Sequence, residues 1–211
     1  MTTIYLVRHG QTAWNKEEIF RGRADIPLNE IGRKEALLAG QYLRGVKVDS
    51  VYSSPLYRAF ETAETIARYQ GKEVQTLDGL VDIDFGQWQG VSRKEVRKRY
   101  GELYRQWKEN PHRVRFPEGE SLEDVRKRAL GAIHETVGNH ATETLVMVSH
   151  RVVNKIVICG LLGLDSSHFW EIGQDTCCIN ILEFEEGFTL LRLNDTSHLV
   201  SMEEERVRID F

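Results

Sequence analysis

Ile4-Tyr5-Leu6-Val7-Arg8-His9-Gly10-Gln11-Thr12 is the stretch whose reading decides the fold: an apolar strand runs straight into an arginine, a histidine and a glycine. In open α/β sheets the chemistry sits in the loops at the carboxyl ends of the strands, and this junction has that form. A neutral, oriented imidazole can attack phosphorus, and a neighbouring guanidinium draws the phosphoryl oxygens in through paired hydrogen bonds. Gly10 is read as letting the backbone approach a ligand. On these few residues alone, His9 is equally well an ordinary loop histidine.

Outward from that junction, strand and helix patterns alternate, which predicts an α/β fold: a three-layer sandwich with a mostly parallel central sheet. Asn29 is a good N-cap for a helix through Glu35 and Leu43 that stops near Gly45, and residues 48–53 read as a second strand. After Pro55, residues 56–69 carry helical spacing and place Arg58 in the first turn, where unpaired backbone N–H groups favour an anion. An extended piece over 73–77 and an irregular stretch over 80–90 precede one helix predicted from about 92 to 108. Ser121-Leu122-Glu123-Asp124 is close to a capping box and starts another helix. Residues 145–149 form a short apolar strand ending at His150, followed by a buried helix over 151–162. Ile179–Phe184 and residues 188–193 read as a terminal hairpin.

With 211 residues, 41% of them hydrophobic and 28% charged, the chain has the size and composition of one domain, 1–211, with 201–211 as a mobile charged tail. A net charge of −4 gives no basic footprint, so no nucleic-acid partner is expected. The N-terminus lacks a signal-peptide pattern, and the most apolar stretch, 152–164, is short and broken by Asn154 and Lys155, so no membrane partner is expected and a cytoplasmic location fits. Cys159, Cys177 and Cys178 offer no disulfide framework, and the adjacent pair lacks the second pair of a zinc site. Cys177 and Cys178 are read as small buried hydrophobes in a strand; no metal and no cofactor are expected.

Four blocks in order carry a resemblance. Arg8-His9-Gly10-Gln11-Thr12-Ala13-Trp14-Asn15, Gly22-Arg23-Ala24-Asp25-Ile26-Pro27-Leu28-Asn29-Glu30-Ile31-Gly32, Ser53-Ser54-Pro55-Leu56-Tyr57-Arg58-Ala59-Phe60-Glu61-Thr62-Ala63 and Ser149-His150 resemble the signature blocks of the histidine phosphatase superfamily, also called phosphoglycerate mutase-like. The resemblance implies His9 as the nucleophile and Arg8, Arg58 and His150 as the phosphate pocket, two guanidiniums and an imidazolium supplying charge that a metal ion supplies elsewhere. Asn15 matches the family's pocket amide, which donates to phosphate or holds a loop; Gln11 is left without a firm role. Asp82 stands where related phosphatases carry the glutamate that protonates the leaving group, with Asp84 as fallback and Glu118 after it. Read without the resemblance, Arg8 and Arg58 could instead pair with Asp25, Glu61 or Glu64, and either aspartate could merely pair with an arginine.

On the substrate side, His112 and Arg113 fall in the loop that lids the family's site, and His198 follows a strand and is read as able to close over the pocket. Arg151 replaces the glycine of the usual Ser-His-Gly and either enters the pocket as an extra cation or faces solvent. Phe85 stands where the phosphoserine phosphatase branch often has a histidine, and the chain looks most like that metal-independent branch. The resemblance therefore implies a metal-independent phosphomonoesterase that hydrolyses a small phosphate ester, phosphoserine among the candidates, through a phosphohistidine; a homodimer is the assembly considered. The alternatives are a cofactor-dependent phosphoglycerate mutase, whose Asn-Glu-Arg-His-Tyr-Gly stretch is absent here, an α-ribazole phosphatase, and a phosphate-binding regulatory module without catalysis.

Overall fold

In the computed structural model, which describes residues 1–202, the strands β1 (Thr2–Arg8), β2 (Ser50–Ser53), β3 (Val74–Thr76), β4 (Thr144–Ser149), β5 (Ile179–Phe184) and β6 (Phe188–Asp195) form one sheet. Their order is β3-β2-β4-β1-β5-β6, and β5 alone runs against the rest. The helices are α1 (Ala13–Lys16), α2 (Glu30–Leu43), α3 (Tyr57–Gln70), α4 (Arg93–Arg99), α5 (Gly101–Glu109), α6 (Leu122–Asn139) and α7 (Arg151–Leu161). Alternate residues of a strand face opposite sides of its sheet. Ile4, Leu6, Leu145 and Met147 accordingly pack with α6 and α7, whereas Val7, Val51, Val146 and Val148 pack with the alanine-rich faces of α2 and α3. The result is the three-layer α/β sandwich that the alternating pattern predicts.

Caps start the helices where the sequence places them. Asn29 Oδ1 accepts from Gly32 N at 2.8 Å, a contact whose loss costs about 1 kcal/mol in such positions. Ser121 and Asp124 complete a reciprocal capping box for α6. The helix predicted over 92–108 is two helices: α4 ends at Tyr100 (φ −123°, ψ 38°) and α5 begins at Gly101. Across the break Tyr100 lies 5.9 Å from Trp88, and Trp107 reaches Phe116 and Phe169 at 5.2 and 5.0 Å. Cys177 and Cys178 are buried as expected, but they precede β5, and Cys177 adopts φ 53° in a turn. At the C-terminal end Met202 is buried in a final 3-10 turn (Ser197–Met202), which runs two residues into the segment read as a charged tail; residues 203–211 lie outside the described residues.

Candidate active site

Three strand ends, those of β2, β4 and β1, meet at the carboxyl end of the sheet. Arg8 is in register with Ser149, and Ser53 with Val148, so His9, Ser54 and His150 leave the sheet side by side. His9 is 1% exposed. Its Nδ1 lies 2.6 Å from the Gly10 carbonyl oxygen, which can only accept, so Nδ1 carries the hydrogen and Nε2 keeps its lone pair. Burial foremost, then the charges of Arg58, Arg8 and Arg21, push the His9 pKa well below the ordinary imidazole range. The ring is therefore neutral, held in one tautomer and surrounded by cations.

The loop behind it is tied down on every side. Gly10 N donates to Thr62 Oγ1 at 3.1 Å, Gln11 N to Glu35 Oε2 at 2.8 Å, and Cys177 N to the His9 carbonyl at 3.2 Å. A Cβ on Gly10 would lie 2.5 Å from the Gly32 carbonyl oxygen, so the close seat of this loop on α2 demands the glycine. Asn15 holds the loop: its Oδ1 accepts from both the backbone N and the Oγ1 of Thr12 at 2.9 Å. Gln11 Oε1 accepts from Asn29 Nδ2 at 2.8 Å, joining the loop to the cap of α2.

Around His9 stand the expected cations. Arg8 Nη1 donates to the Gln174 carbonyl. Arg58 is fully buried and donates to the carbonyls of Ala24 and Gly22 at 2.8 and 2.7 Å and to Asp82 Oδ2 at 3.0 Å. Asp25 instead caps α3 through Tyr57 N at 2.7 Å, and Glu61 pairs with Arg33 at 2.7 Å. The His150 ring lies 5.2 Å from that of His9; its Nε2 shares a 2.7 Å hydrogen bond with Ser54 Oγ, and its Nδ1 faces Asp82 Oδ2 at 3.6 Å. Burial and then the positive charge of Arg58 push the His150 pKa well down, which favours the neutral imidazole over the imidazolium that the resemblance implies.

Asp82 is thus the carboxylate brought between Arg58 and His150. Arg128 on α6 fixes its loop by donating to the carbonyls of Gly79, Val81 and Asp82 at 2.9, 2.7 and 3.2 Å, and Ser149 Oγ donates to the Leu80 carbonyl at 2.8 Å. Asp84 points elsewhere: it accepts from Gly86 N at 2.8 Å and sits 3.9 Å from Arg23. Glu118 is exposed, in a turn with φ 58°.

The substrate-side candidates divide. Phe85 and Arg151 line a cleft that reaches the centre at Asp82, together with Phe20 and Arg21. The Phe85 ring packs edge-on to Phe20 and Phe116 at 5.1 and 4.8 Å, so it shapes the wall and forms no hydrogen bond. His112 and Arg113 are exposed in a 3-10 turn (Pro111–Arg113), bonded to each other at 3.3 Å, and neither lines that cleft. His198 also departs from expectation: its Nε2 meets the Cys177 carbonyl at 3.1 Å and its ring lies 5.3 Å from Tyr42, so it backs the turn behind His9 instead of closing over the cleft. Sequence reasoning missed Arg21, Ser54 and Arg128. Arg21 adjoins the block at Gly22, but nothing in local pattern marks an arginine as buried.

Comparison with known proteins agrees with this geometry. Residues 4–196 match the histidine phosphatase superfamily (branch 1). Phosphoserine phosphatase 1 of Hydrogenobacter thermophilus is 40% identical over 200 residues, 94% of this chain and 95% of that protein. Among solved structures, the Bacillus stearothermophilus protein YhfR superposes with a TM-score of 0.90 at 32% identity, covering 94% of this chain and 100% of the other. Phosphoserine phosphatase of Entamoeba histolytica in complex with 3-phosphoglyceric acid superposes at 0.86 with 30% identity, covering 95% and 100%. The chain belongs to the histidine phosphatase superfamily. It is a phosphoric monoester hydrolase, and its relatives bind small phosphate esters. Among the described residues no helix is long and apolar enough to cross a membrane.

Proposed function

We propose that the chain hydrolyses a small phosphate ester through a phosphohistidine on His9, with side-chain cations in place of a metal ion. The observation that carries this reading is the His9 ring itself: Nδ1–H is spent on Gly10, Nε2 is unprotonated, and Arg8 and Arg58 flank it. An incoming phosphate dianion takes over Arg58 from Asp82 and accepts from Arg8 and His150, which draws phosphorus onto Nε2. The N–P bond forms as the P–O ester bond breaks, and Asp82, which takes up a proton from solvent once the phosphate displaces it from Arg58, gives that proton to the departing oxygen. Asp82, now a carboxylate, removes a proton from water; that water attacks phosphorus, the N–P bond breaks, and inorganic phosphate leaves. Two neutral imidazoles and buried guanidiniums supply the electrostatics, so no step calls for a cofactor. The chain acts in this reading as one domain, with the site at the carboxyl ends of β1, β2 and β4.

Phosphoserine, named for the 40% identical relative, is the first ester to assay. Free phosphate released from it and from other small esters, with EDTA present, tests the reading. The wild type is expected to turn over at least one of them and His9→Ala none. Activity lost to EDTA and restored by magnesium or zinc contradicts the metal-independent part.

A further inference from the structure

The cleft leading to Asp82 is walled by apolar side chains, Ile19, Phe20, Phe85 and Val152 among them, and its polar side chains are Arg21, Asp82 and Arg151. Asp82 is engaged with Arg58 and His150. Selectivity for polar groups on the rest of the ester therefore falls to two guanidiniums of like charge. Arg21 is only 8% exposed, and its Nε and Nη1 are buried with no hydrogen-bond partner among the described residues. A buried cation in that condition is costly unless an anion meets it. Burial, and then Arg8 and Arg58, push its pKa well down, with Arg151 adding in the same direction and Asp82 opposing. Arg151 is 7% exposed, opens α7, where helix N–H groups add positive potential, and has its guanidinium 5.7 Å from the centre of the Trp170 ring.

Resting on the phosphatase reading above, we infer that Arg21 and Arg151 form a second anion subsite, selecting esters with a further carboxylate or phosphate and disfavouring an ammonium at that end. The first anion, the phosphoryl group to be transferred, is served by Arg8, Arg58 and His150. The second lies along the cleft, where Phe85 offers no hydrogen bond and guanidiniums take over recognition. Phosphoserine carries both a carboxylate and an ammonium, so one end of the molecule is attracted and the other repelled. A phosphorylated hydroxy acid of the same size has only the attractive part. This places the chain's preference away from the amino acid ester and toward more anionic ones.

The test measures kcat/KM for phosphoglycerate, glycerol phosphate, glycerol bisphosphate, phosphoserine and an aryl phosphate on wild type, Arg21→Gln, Arg21→Lys and Arg151→Gln. Ratios between substrates on one sample are independent of how much of a variant is folded. Wild type is expected to favour phosphoglycerate or the bisphosphate over glycerol phosphate, and phosphoglycerate over phosphoserine, each by about tenfold or more, roughly the worth of one charge-assisted contact. Whichever of phosphoglycerate and the bisphosphate wins tells a carboxylate from a phosphate. Arg21→Gln and Arg151→Gln are expected to shrink that preference by about tenfold, with Arg21→Lys retaining part of it. Equal losses on all substrates would assign Arg21 to the transferred phosphate and overturn the subsite, as would an unchanged preference or a wild type that favours phosphoserine. Turnover of the aryl phosphate alongside any of these leaves the phosphatase reading intact; no turnover of any ester sinks both.

Discussion

His9 and His150 lie ring to ring in one buried pocket and yet have separate tasks, because their hydrogen bonds differ: one nitrogen of His9 is fixed by a carbonyl, one of His150 by a serine hydroxyl. Both are held neutral by burial and by Arg58. The lowered pKa of His9 means that the nucleophile keeps its lone pair as pH falls through the usual imidazole range. Phosphohistidine formation from an activated aryl phosphate is accordingly expected to change by less than about twofold between pH 7 and roughly one unit below the ordinary imidazole value. A decline that follows an ordinary histidine titration in stopped-flow traces would show that His9 is not perturbed. Asp82 makes a different prediction, since a good leaving group needs no proton. Asp82→Asn should slow hydrolysis of an alkyl phosphate by on the order of a hundredfold while largely sparing phosphoenzyme formation from the aryl ester. Asp84→Asn, whose carboxylate serves a turn and Arg23, should show no such dependence; the reverse pattern would make Asp84 the acid.

At the scale of elements, the catalytic loop is as good as its seat on α2. Gly10→Ala would force a Cβ to 2.5 Å from a backbone oxygen, where no side chain can yield, so the loop or the first turn of α2 must shift. Thermal unfolding is expected to drop by several degrees, about 1–3 kcal/mol, and kcat to fall further than KM rises as Nε2 moves off line. A Gly10→Ala enzyme with wild-type melting and turnover would refute the close packing. Strands, caps and the placement of Arg58 in a first turn were legible because each has a local cause: alternation, a side-chain acceptor, Pro55 before a helical run. The break at Tyr100 was not, since the spacing of residues 92–108 fits a continuous helix and nothing in the local pattern marks Tyr100 as the non-helical residue. His112, Arg113 and His198 were misplaced for the same reason; the direction in which a loop side chain points is set by tertiary contacts such as the Cys177 carbonyl.

For the whole molecule, the site is a concentration of positive charge inside a chain whose net charge is −4, so phosphate recognition is built from burial and register rather than from the overall field. That arrangement has a cost in stability. His9 and His150 are held neutral in the fold, whereas the unfolded chain binds a proton at each once pH falls below about 6.5. Their contribution is therefore present above that value and lost as pH falls, by up to about 1.4 kcal/mol per pH unit for each histidine. Urea midpoints should decline accordingly between pH 7.5 and roughly 5, less steeply for His150→Gln; a flat profile for both proteins would mean that the rings are protonated in the fold. The α/β class, the mostly parallel sheet and the ordered motifs were readable in the chain, while the strand order, the convergence of three strand ends and the burial of Arg21 came only from the folded structure. The central claim, a covalent phosphate on His9 Nε2, is tested most directly by quenching turnover of a labelled ester in base and locating the label by mass spectrometry. The account predicts an acid-labile, base-stable phosphate on the peptide containing His9, formed with EDTA present and absent from His9→Ala; label on another residue, or label that persists in His9→Ala, would contradict it.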